Sequence, residues 1–252
     1  MIIKKNFKML KIDNHQNDFT EKNYKRLLYK IKNKTIFFHE IDTINKFTLW
    51  RHDVDLSVHR AYALAKIEKS LNIRATYFLL FGSNFYNIFD KEIKNLIYKI
   101  KSLGHQFGLH FDSTQYNINK KKDLEKYLSF EKNILEDLFQ IKIKTFSYHN
   151  PSEKILSYDN FKYAKMINAY AKYFKKNVKY CSDSDGYWRH KRLESFLDEN
   201  HDKIQVLTHP GWWQKRVMAP FSRVKRCLNG REQATNNEYR NTFKKLKRKI
   251  IY

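Results

Sequence analysis

The sequence predicts an α/β fold, a distorted or incomplete (β/α) barrel of six or seven β/α units, and three observations lead to this prediction. Short apolar extended runs alternate with amphipathic helical patterns. Local signals separate these runs: Thr20 and Ser57 suit helix N-caps, and Gly104 suits a helix end. Acidic residues and histidines recur where the predicted strands end. An open doubly wound sheet is the main alternative, because sequence order alone does not decide closure.

The elements follow one another in short units. The predicted helices cover about 21–32, 58–71, 91–103, 123–139, 161–174 and 193–199, and a basic helical tail begins after Ser222. The predicted strands cover about 46–50, 75–81, 106–111, 144–148, 178–181 and 203–208. We expect one domain over residues 1–252, with 1–45 as an N-terminal helical extension and 222–252 as the basic tail.

Composition excludes several classes of protein. The apolar runs are far shorter than the roughly 20 residues that cross a bilayer, which argues against a membrane-spanning helix. The N-terminus lacks the apolar core of a secretory signal, so a cytoplasmic location is the default expectation. Cys181 and Cys227 are far apart and share no Cys-x-x-Cys spacing, so we expect two free thiols rather than a zinc knuckle or a redox pair.

The net charge of +24 raises the question of an anionic partner. The lysines are spread along the chain, as in 120–122 and 244–245, and no nucleic-acid-binding signature is visible, so we expect no specific nucleic-acid partner. Attraction to an anionic membrane surface or to phosphorylated sugar carriers fits the charge better. We therefore consider peripheral association with the inner membrane.

Asp53 and Asp55 follow the first predicted strand at a spacing that matters for chemistry. Side chains alternate along an extended chain, so residues i and i+2 point to the same side and both carboxylates can enter one pocket. One can bind a metal while the other acts as a general base. The competing interpretation is that Asp55 only caps the next helix, but Ser57 already offers that cap.

Reactive groups in β/α folds come from loops after the carboxyl ends of the strands. In this chain the candidates at those positions are Asp53, Asp55, His110, Asp112, His149, Asp183, Asp185 and His209. His105 lies at the opposite end of its strand, about 16 Å from His110 at roughly 3.3 Å per residue, so it cannot share their site. We interpret it as a strand-entry residue or a turn contact.

Three aromatic side chains and one arginine lie in or directly after two of these loops. Tyr187, Trp188 and Arg189 come directly after Asp185 and Gly186, and Trp212 follows His209. Sugar rings stack on such surfaces, which makes these four residues candidates for substrate binding. The competing interpretation is a surface turn followed by a packed turn, because Asp, Ser and Gly favour turns.

As a set, four segments resemble the polysaccharide deacetylase family, the family 4 carbohydrate esterases with the NodB homology domain. They are Arg51–Asp55, Gly104–His110, Asp185–Arg189 and Leu207–Pro210. The resemblance spans about residues 48–213 and is greatest to divergent members from bacterial surface-polysaccharide gene clusters. It implies a distorted β/α barrel that removes acetyl groups from N-acetylated sugars with a zinc-type divalent metal.

The resemblance also implies roles for individual residues. Asp53 matches the catalytic base, Asp55 the first metal ligand, and His110 the first histidine ligand. His209 matches the histidine that protonates the leaving amine. Asp185 and Trp188 match the elements that orient this histidine and wall the pocket.

One position departs from the family pattern. The second histidine ligand is expected four residues after the first, where this chain has Thr114. A catalytic zinc usually has three protein ligands and water, so either Asp112 or His149 substitutes or the metal is weakly held or absent, and we favour His149. The sequence thus predicts a metal-dependent hydrolase acting on a sugar or sugar precursor for surface polysaccharide. The alternative is a catalytically inactive glycan-binding or assembly protein on the same fold.

Overall fold

The computed structural model describes residues 15–251 and contains one sheet surrounded by helices. The eight strands are β1 Phe47–Val54, β2 Ala75–Leu80, β3 Gln106–Phe111, β4 Thr145–Tyr148, β5 Lys162–Tyr163, β6 Met166–Asn168, β7 Lys179–Ser182 and β8 Lys203–Thr208. The α-helices are α1 Glu21–Leu28, α2 Val58–Ser70, α3 Lys91–Ser102, α4 Lys121–Phe139, α5 Glu153–Leu156, α6 Lys172–Asn177, α7 Leu193–Asp198 and α8 Pro220–Lys245.

The sheet curls into an incomplete barrel, as the sequence predicted. Its order is β5-β6-β4-β3-β2-β1-β8-β7, and all neighbouring pairs are parallel except β5 with β6. Apart from the hairpin strand β5, this is the cyclic chain order of a barrel cut open between β6 and β7. Because parallel strands meet with their carboxyl ends at one rim, the loops after β1, β3, β4, β7 and β8 lie on the same side of the molecule.

β1 lies at the centre of the sheet, and all eight of its residues are buried. Parallel strands covered on both faces have this pattern. Successive side chains of β1 therefore face two different environments. His52 points toward α1 and α2, where Nε2 lies 2.5 Å from Oε1 of Glu68, whereas its neighbours Arg51 and Asp53 point to the other side.

Behind β1, Glu68 organises a buried polar cluster that sequence reasoning missed. Tyr24 and Tyr77 donate hydrogen bonds to its carboxylate, and His52 contacts it. Burial alone would raise the pKa of Glu68, but its interactions with His52, His105 and Tyr24 together outweigh burial and lower the pKa to about 2. His105 also belongs here, because Nδ1 lies 3.6 Å from Oε2 of Glu68.

Most predicted elements agree with the observed ones within a few residues, and Thr20 and Ser57 both cap helices through their side chains. The helix predicted over 161–174 is wrong. That segment forms the hairpin of β5 and β6, and positive φ angles at Ala164 and Lys165 make the turn between them. β6 pairs with β4, so tertiary pairing overrides the local helical pattern.

The two ends of the chain complete the description. Residues 1–14 of the predicted N-terminal extension lie outside the described residues, whereas α1 packs its Tyr24, Leu27 and Leu28 into the core. The predicted basic tail is α8, in which only Arg223 is buried. Among the described residues, every helix is too short or too polar to span a bilayer.

Candidate active site

Arg51 and Asp53 form a buried ion pair at the carboxyl end of β1. Nε of Arg51 donates to Oδ1 of Asp53 at 2.8 Å, and Nη2 donates to Oδ2 at 2.7 Å. Burial alone would raise the pKa of Asp53, but the charge and hydrogen bonds of Arg51 together with His110 and His209 outweigh burial and lower the pKa below its ordinary value. Asp53 is therefore ionised at neutral pH.

The guanidinium of Arg51 lies between two aromatic rings. Its Cζ is 5.0 Å from the ring centroid of Phe78 and 5.1 Å from that of Tyr170. A cation within about 6 Å of an aromatic face is attracted to it. These rings and the two hydrogen bonds fix the position of Arg51, which in turn fixes that of Asp53.

Asp55, His110 and His149 bring three potential metal-binding atoms together, all within 4.8 Å of one another. Oδ1 of Asp55 is 3.1 Å from Nε2 of His110 and 3.7 Å from Nδ1 of His149. The two histidine nitrogens are 3.1 Å apart. Three strands supply this cluster, because Asp55 follows β1, His110 lies in β3 and His149 follows β4.

The donor set fits a divalent transition metal. Ligand atoms bound tetrahedrally at about 2.1 Å lie about 3.4 Å from one another, close to the separations in this cluster. Two imidazole nitrogens and one carboxylate oxygen are a common ligand set for catalytic zinc. Among the described residues, Oδ1 of Asp55 is buried and accepts no well-directed hydrogen bond, so it remains available as a ligand.

Ser147 holds the ring of His110 in orientation. Its Oγ is 2.7 Å from Nδ1 of His110. If Nδ1 carries the proton and donates it to Ser147, the lone pair of Nε2 points toward Asp55 and His149. Such a bond on the far nitrogen fixes the tautomer that a metal ligand needs.

His209, in the loop after β8, is held by Asp183, which follows β7. Nδ1 of His209 is 2.5 Å from Oδ1 of Asp183, whose oxygens also accept from the His209 backbone N–H and from the Trp213 indole. Burial alone would lower the pKa of His209, but the charge and hydrogen bond of Asp183, together with the charges of Asp55 and Asp53, outweigh burial and raise the pKa to about 9. His209 is therefore protonated at neutral pH.

His209 also faces the metal-ligand candidates. Its Nε2 is 3.7 Å from Oδ2 of Asp55. Close packing of the loops after β1 and β8 permits this approach, because a Cβ on Gly211 would lie 2.7 Å from Cβ of Leu56. A larger residue at 211 would push the two loops apart.

Asp185 does not take the position expected for it. It is exposed, with a φ of 50°, and together with Gly186 at 83° it forms the tight turn between Ser184 and Tyr187. Asp-Gly is a characteristic sequence for a two-residue turn with positive φ at both positions. The partner of His209 is Asp183 instead, two residues earlier and directly after the strand.

The four candidate substrate-binding residues divide into two groups. Trp188 is buried and is a core residue rather than a pocket wall, because its ring stacks 5.1 Å from that of Phe19 and its indole donates to Asp18. Arg189 is exposed. Tyr187 and Trp212 are half-buried and remain candidates for contact with a substrate.

Asp112 lies in the turn after β3, where its carboxylate is already engaged. Oδ1 accepts from the backbone N–H and the hydroxyl of Thr114 at 2.9 and 2.7 Å, and Oδ2 accepts from Gln115. Asp112 thus caps this turn, and the Thr114 hydroxyl, at the position where the family pattern has a ligand, donates to Asp112. The structure brings His149, and not Asp112, to Asp55 and His110.

Sequence reasoning gave no role in the site to Arg51, Ser147 or Tyr170, and it named Asp183 only as one of the candidates at the strand ends. Two of these had a detectable signal. Arg51 is two residues before Asp53 and so shares its face of β1. Asp183 directly follows a strand, and its neighbour Asp185 has the turn signal instead. Ser147 and Tyr170 had none, because their contacts join distant parts of the chain.

Comparisons with known proteins give matches of structure alone, since no protein-family model and no curated protein matches the sequence. A family 4 carbohydrate esterase pseudoenzyme from Bacillus anthracis is 14% identical, with a TM-score of 0.43 over 74% of this chain and 62% of that one. A family 4 carbohydrate esterase from the same organism is 17% identical, with a TM-score of 0.44 over 84% and 86%.

A family 4 acetyl xylan esterase from Clostridium thermocellum, solved with a cobalt ion, is 12% identical, with a TM-score of 0.40 over 73% of this chain and 84% of that one. The chain spans less than two thirds of the length of the pseudoenzyme. All three of these structures are named as members of the family 4 carbohydrate esterases, the family that the sequence motifs resemble.

Proposed function

We propose that this chain is a metal-dependent deacetylase that hydrolyses an acyl amide, in particular an N-acetyl group, on a sugar or sugar precursor. One observation carries the proposal. A cluster that fits a metal, Asp55, His110 and His149, lies between an ionised carboxylate, Asp53, and a protonated imidazole, His209. Amide hydrolysis needs a base for the attacking water and an acid for the departing nitrogen.

Asp55, His110 and His149 would hold the metal, and we propose zinc. A bound zinc lowers the pKa of a coordinated water and polarises a carbonyl oxygen. His110 contributes Nε2 while Ser147 holds its other nitrogen. Burial lowers the pKa of His149, so its imidazole is neutral at neutral pH and has a lone pair to offer.

Asp53 would act as the general base. It lies next to the cluster, with Oδ2 at 3.6 Å from Nε2 of His110. Each of its oxygens accepts one hydrogen bond from Arg51 and retains a further lone pair for the proton of the attacking water. Arg51 keeps this carboxylate ionised and oriented.

His209 would act as the general acid. Its protonated Nε2 points toward the cluster, and Asp183 on Nδ1 stabilises the imidazolium and fixes the ring. Protonation of the nitrogen allows the amine to leave once the carbonyl carbon has become tetrahedral. Asp183 therefore takes the orienting role that the resemblance implied for Asp185.

Tyr187 and Trp212, half-buried in the loops after β7 and β8, would contact the sugar. We propose that the substrate belongs to surface-polysaccharide assembly, a proposal supported by the motif resemblance. A cytoplasmic location stays a prediction from the sequence.

The test combines metal analysis with acetate release. Purified protein reconstituted with zinc is assayed on N-acetylglucosamine oligomers and other N-acetylated sugars. We expect about one equivalent of bound metal and measurable acetate. Asp53→Asn should retain metal but lose at least about 100-fold in rate, as for other general bases, and circular dichroism checks its fold because the variant leaves Arg51 without its counter-charge. Asp185→Asn, at the exposed turn, is the matched control and should keep full activity.

A glycan-binding protein without turnover is the second candidate. The specific observation in its favour is Thr114, which stands at the position of a family ligand and donates its hydroxyl to Asp112 instead. Metal below about a tenth of an equivalent after reconstitution, together with saturable oligosaccharide binding, would favour this candidate over the deacetylase.

A further inference from the structure

α8 has an apolar stripe on its outer surface. With 100° per residue in an α-helix, four large side chains fall within about 20° of one line. They are Phe221, Leu228, Tyr239 and, at the residue that ends the helix, Leu246. Their exposed fractions are 77, 48, 55 and 53%, so none of them is covered by the rest of the described chain.

The stripe does not face the body of the protein. α8 is attached through its first turns, where the buried Arg223 donates to the carbonyls of Met218 and Gly186, and through Arg231, which donates to the carbonyl of Asn84. On the helical wheel Arg223 lies about 140–160° from the stripe and Arg231 about 60–80° from it. The apolar line is therefore a lateral face open to a partner.

Much of α8 has no packed face of its own. Every residue from 228 to 242 is exposed. Most helical stability in proteins comes from packing of an amphipathic face, and isolated helical segments of this length are marginal in water. A surface that covers the stripe would supply the missing stabilisation.

The net charge of α8 and the residues after it indicates what kind of surface would cover the stripe. Residues 220–251 contain ten lysines and arginines against two glutamates, a net charge of +8. Lys225 and Arg240 lie about 40° and 100° from Phe221 on the side of the stripe opposite to Arg231. A helix with an apolar line and cationic flanks suits the interface of an anionic bilayer, because long cationic side chains reach the phosphates while the apolar line enters the acyl boundary.

We propose that α8 is a membrane-docking element and that it binds an anionic lipid surface through Phe221, Leu228, Tyr239 and Leu246. A nucleic acid would pair with the cations but leave the stripe in water. A second copy of the chain would bring two segments of +8 together, which repel each other. This inference is independent of the proposed deacetylase activity.

The experiment uses the full chain in vesicle co-sedimentation at physiological ionic strength. Vesicles of phosphatidylcholine mixed with phosphatidylglycerol are compared with phosphatidylcholine alone. We expect a partition coefficient roughly tenfold or more higher on the anionic vesicles, because each cation near the surface contributes a factor of about five. Equal partition on the two vesicle types would overturn the proposal.

Two matched pairs of variants separate the stripe from the charge. Phe221→Ser with Leu228→Ser should reduce binding at least about tenfold, and the control is Tyr29→Ser with Phe130→Ser, two other exposed aromatics. Lys225→Gln with Arg240→Gln should reduce it similarly, and the control is Lys122→Gln with Lys126→Gln on α4. Circular dichroism and thermal melting establish that each variant is folded.

Three results would contradict the assignment. The first is binding by the stripe variant equal to that of the wild-type chain. The second is tight binding to a single-stranded RNA oligonucleotide that is equally strong in the wild-type chain and in the stripe variant, with no binding to vesicles. The third is a dimer in analytical ultracentrifugation without lipid that the stripe variant abolishes, which would assign the face to a second copy.

Discussion

Arg51 and Asp53 are two residues apart on β1 and are joined by two hydrogen bonds of 2.8 and 2.7 Å in a fully buried environment. Removing either partner of such a buried pair leaves the other charge buried without compensation. The counter-charge of the proposed base, Asp53, therefore lies on the same strand. The position of Asp53 thus depends on few other elements.

Removing Arg51 should destabilise the fold. Arg51→Met leaves the Asp53 carboxylate buried without a counter-charge, and we expect a loss of about 3–5 kcal/mol in the free energy of unfolding. Urea denaturation measures this. Arg51→Met with Asp53→Asn should recover part of the loss, because the uncompensated charge is gone. A double variant as unstable as the single one would contradict this explanation.

Removing His149 should abolish tight metal binding. His149→Ala takes away one of three ligand candidates, so zinc affinity measured by competition with a chelator should fall by more than about 100-fold. His59→Ala, an exposed histidine beside Glu92, is the control and should bind zinc like the wild-type chain. Unchanged affinity in His149→Ala would mean that the third ligand lies elsewhere.

Replacing Ser147 should reduce the metal affinity of the same site by less than replacing His149 does. Ser147→Ala removes the group 2.7 Å from Nδ1 of His110, which frees the ring to rotate. Loss of such a supporting bond typically reduces metal affinity by about 10- to 100-fold. An effect as large as that of His149→Ala would indicate a wider disruption, which the near-ultraviolet circular dichroism spectrum would reveal.

His209 should make the stability of the fold depend on pH. Its pKa is raised from 6.5 to about 9, so its stabilising contribution is complete below about pH 6.5 and is lost as the pH rises through about 9. Asp183→Asn removes the cause. The stability gap between wild type and variant should shrink by up to about 3 kcal/mol between pH 6 and pH 10, as measured by urea denaturation.

The control for that prediction is a direct titration. In metal-free protein, nuclear magnetic resonance should show the pKa of His209 falling in Asp183→Asn. A pKa that stays near 9 in the variant would mean that Asp183 does not set it.

Glu131 should respond to pH in the opposite sense to a paired carboxylate. Burial raises its pKa from 4.5 to about 7, although Tyr116 donates to Oε1. The fold therefore loses stability as the pH rises from about 4.5 through 7. Glu131→Gln, whose amide oxygen can still accept from Tyr116, should be more stable than wild type at pH 8 by up to about 3 kcal/mol. The two should be equally stable near pH 4.

The sequence alone determined the local features of this protein. Apolar periodicity and caps such as Thr20 and Ser57 depend on near neighbours, and they gave most element positions. Side-chain alternation placed Asp53 and Asp55 on one side of a strand, and the rule for strand ends gave His110, His149 and His209 as candidates. These signals are readable because each depends on a few consecutive residues.

Tertiary structure decided what depends on contacts across the chain. It paired β6 with β4 where a helical pattern was visible, joined His209 to Asp183 instead of Asp185, and buried Trp188 in the core. It also brought His149 to Asp55 and His110. Distances between residues far apart in sequence are set by sheet order and loop packing, and a single sequence encodes these only through the energy of the whole fold.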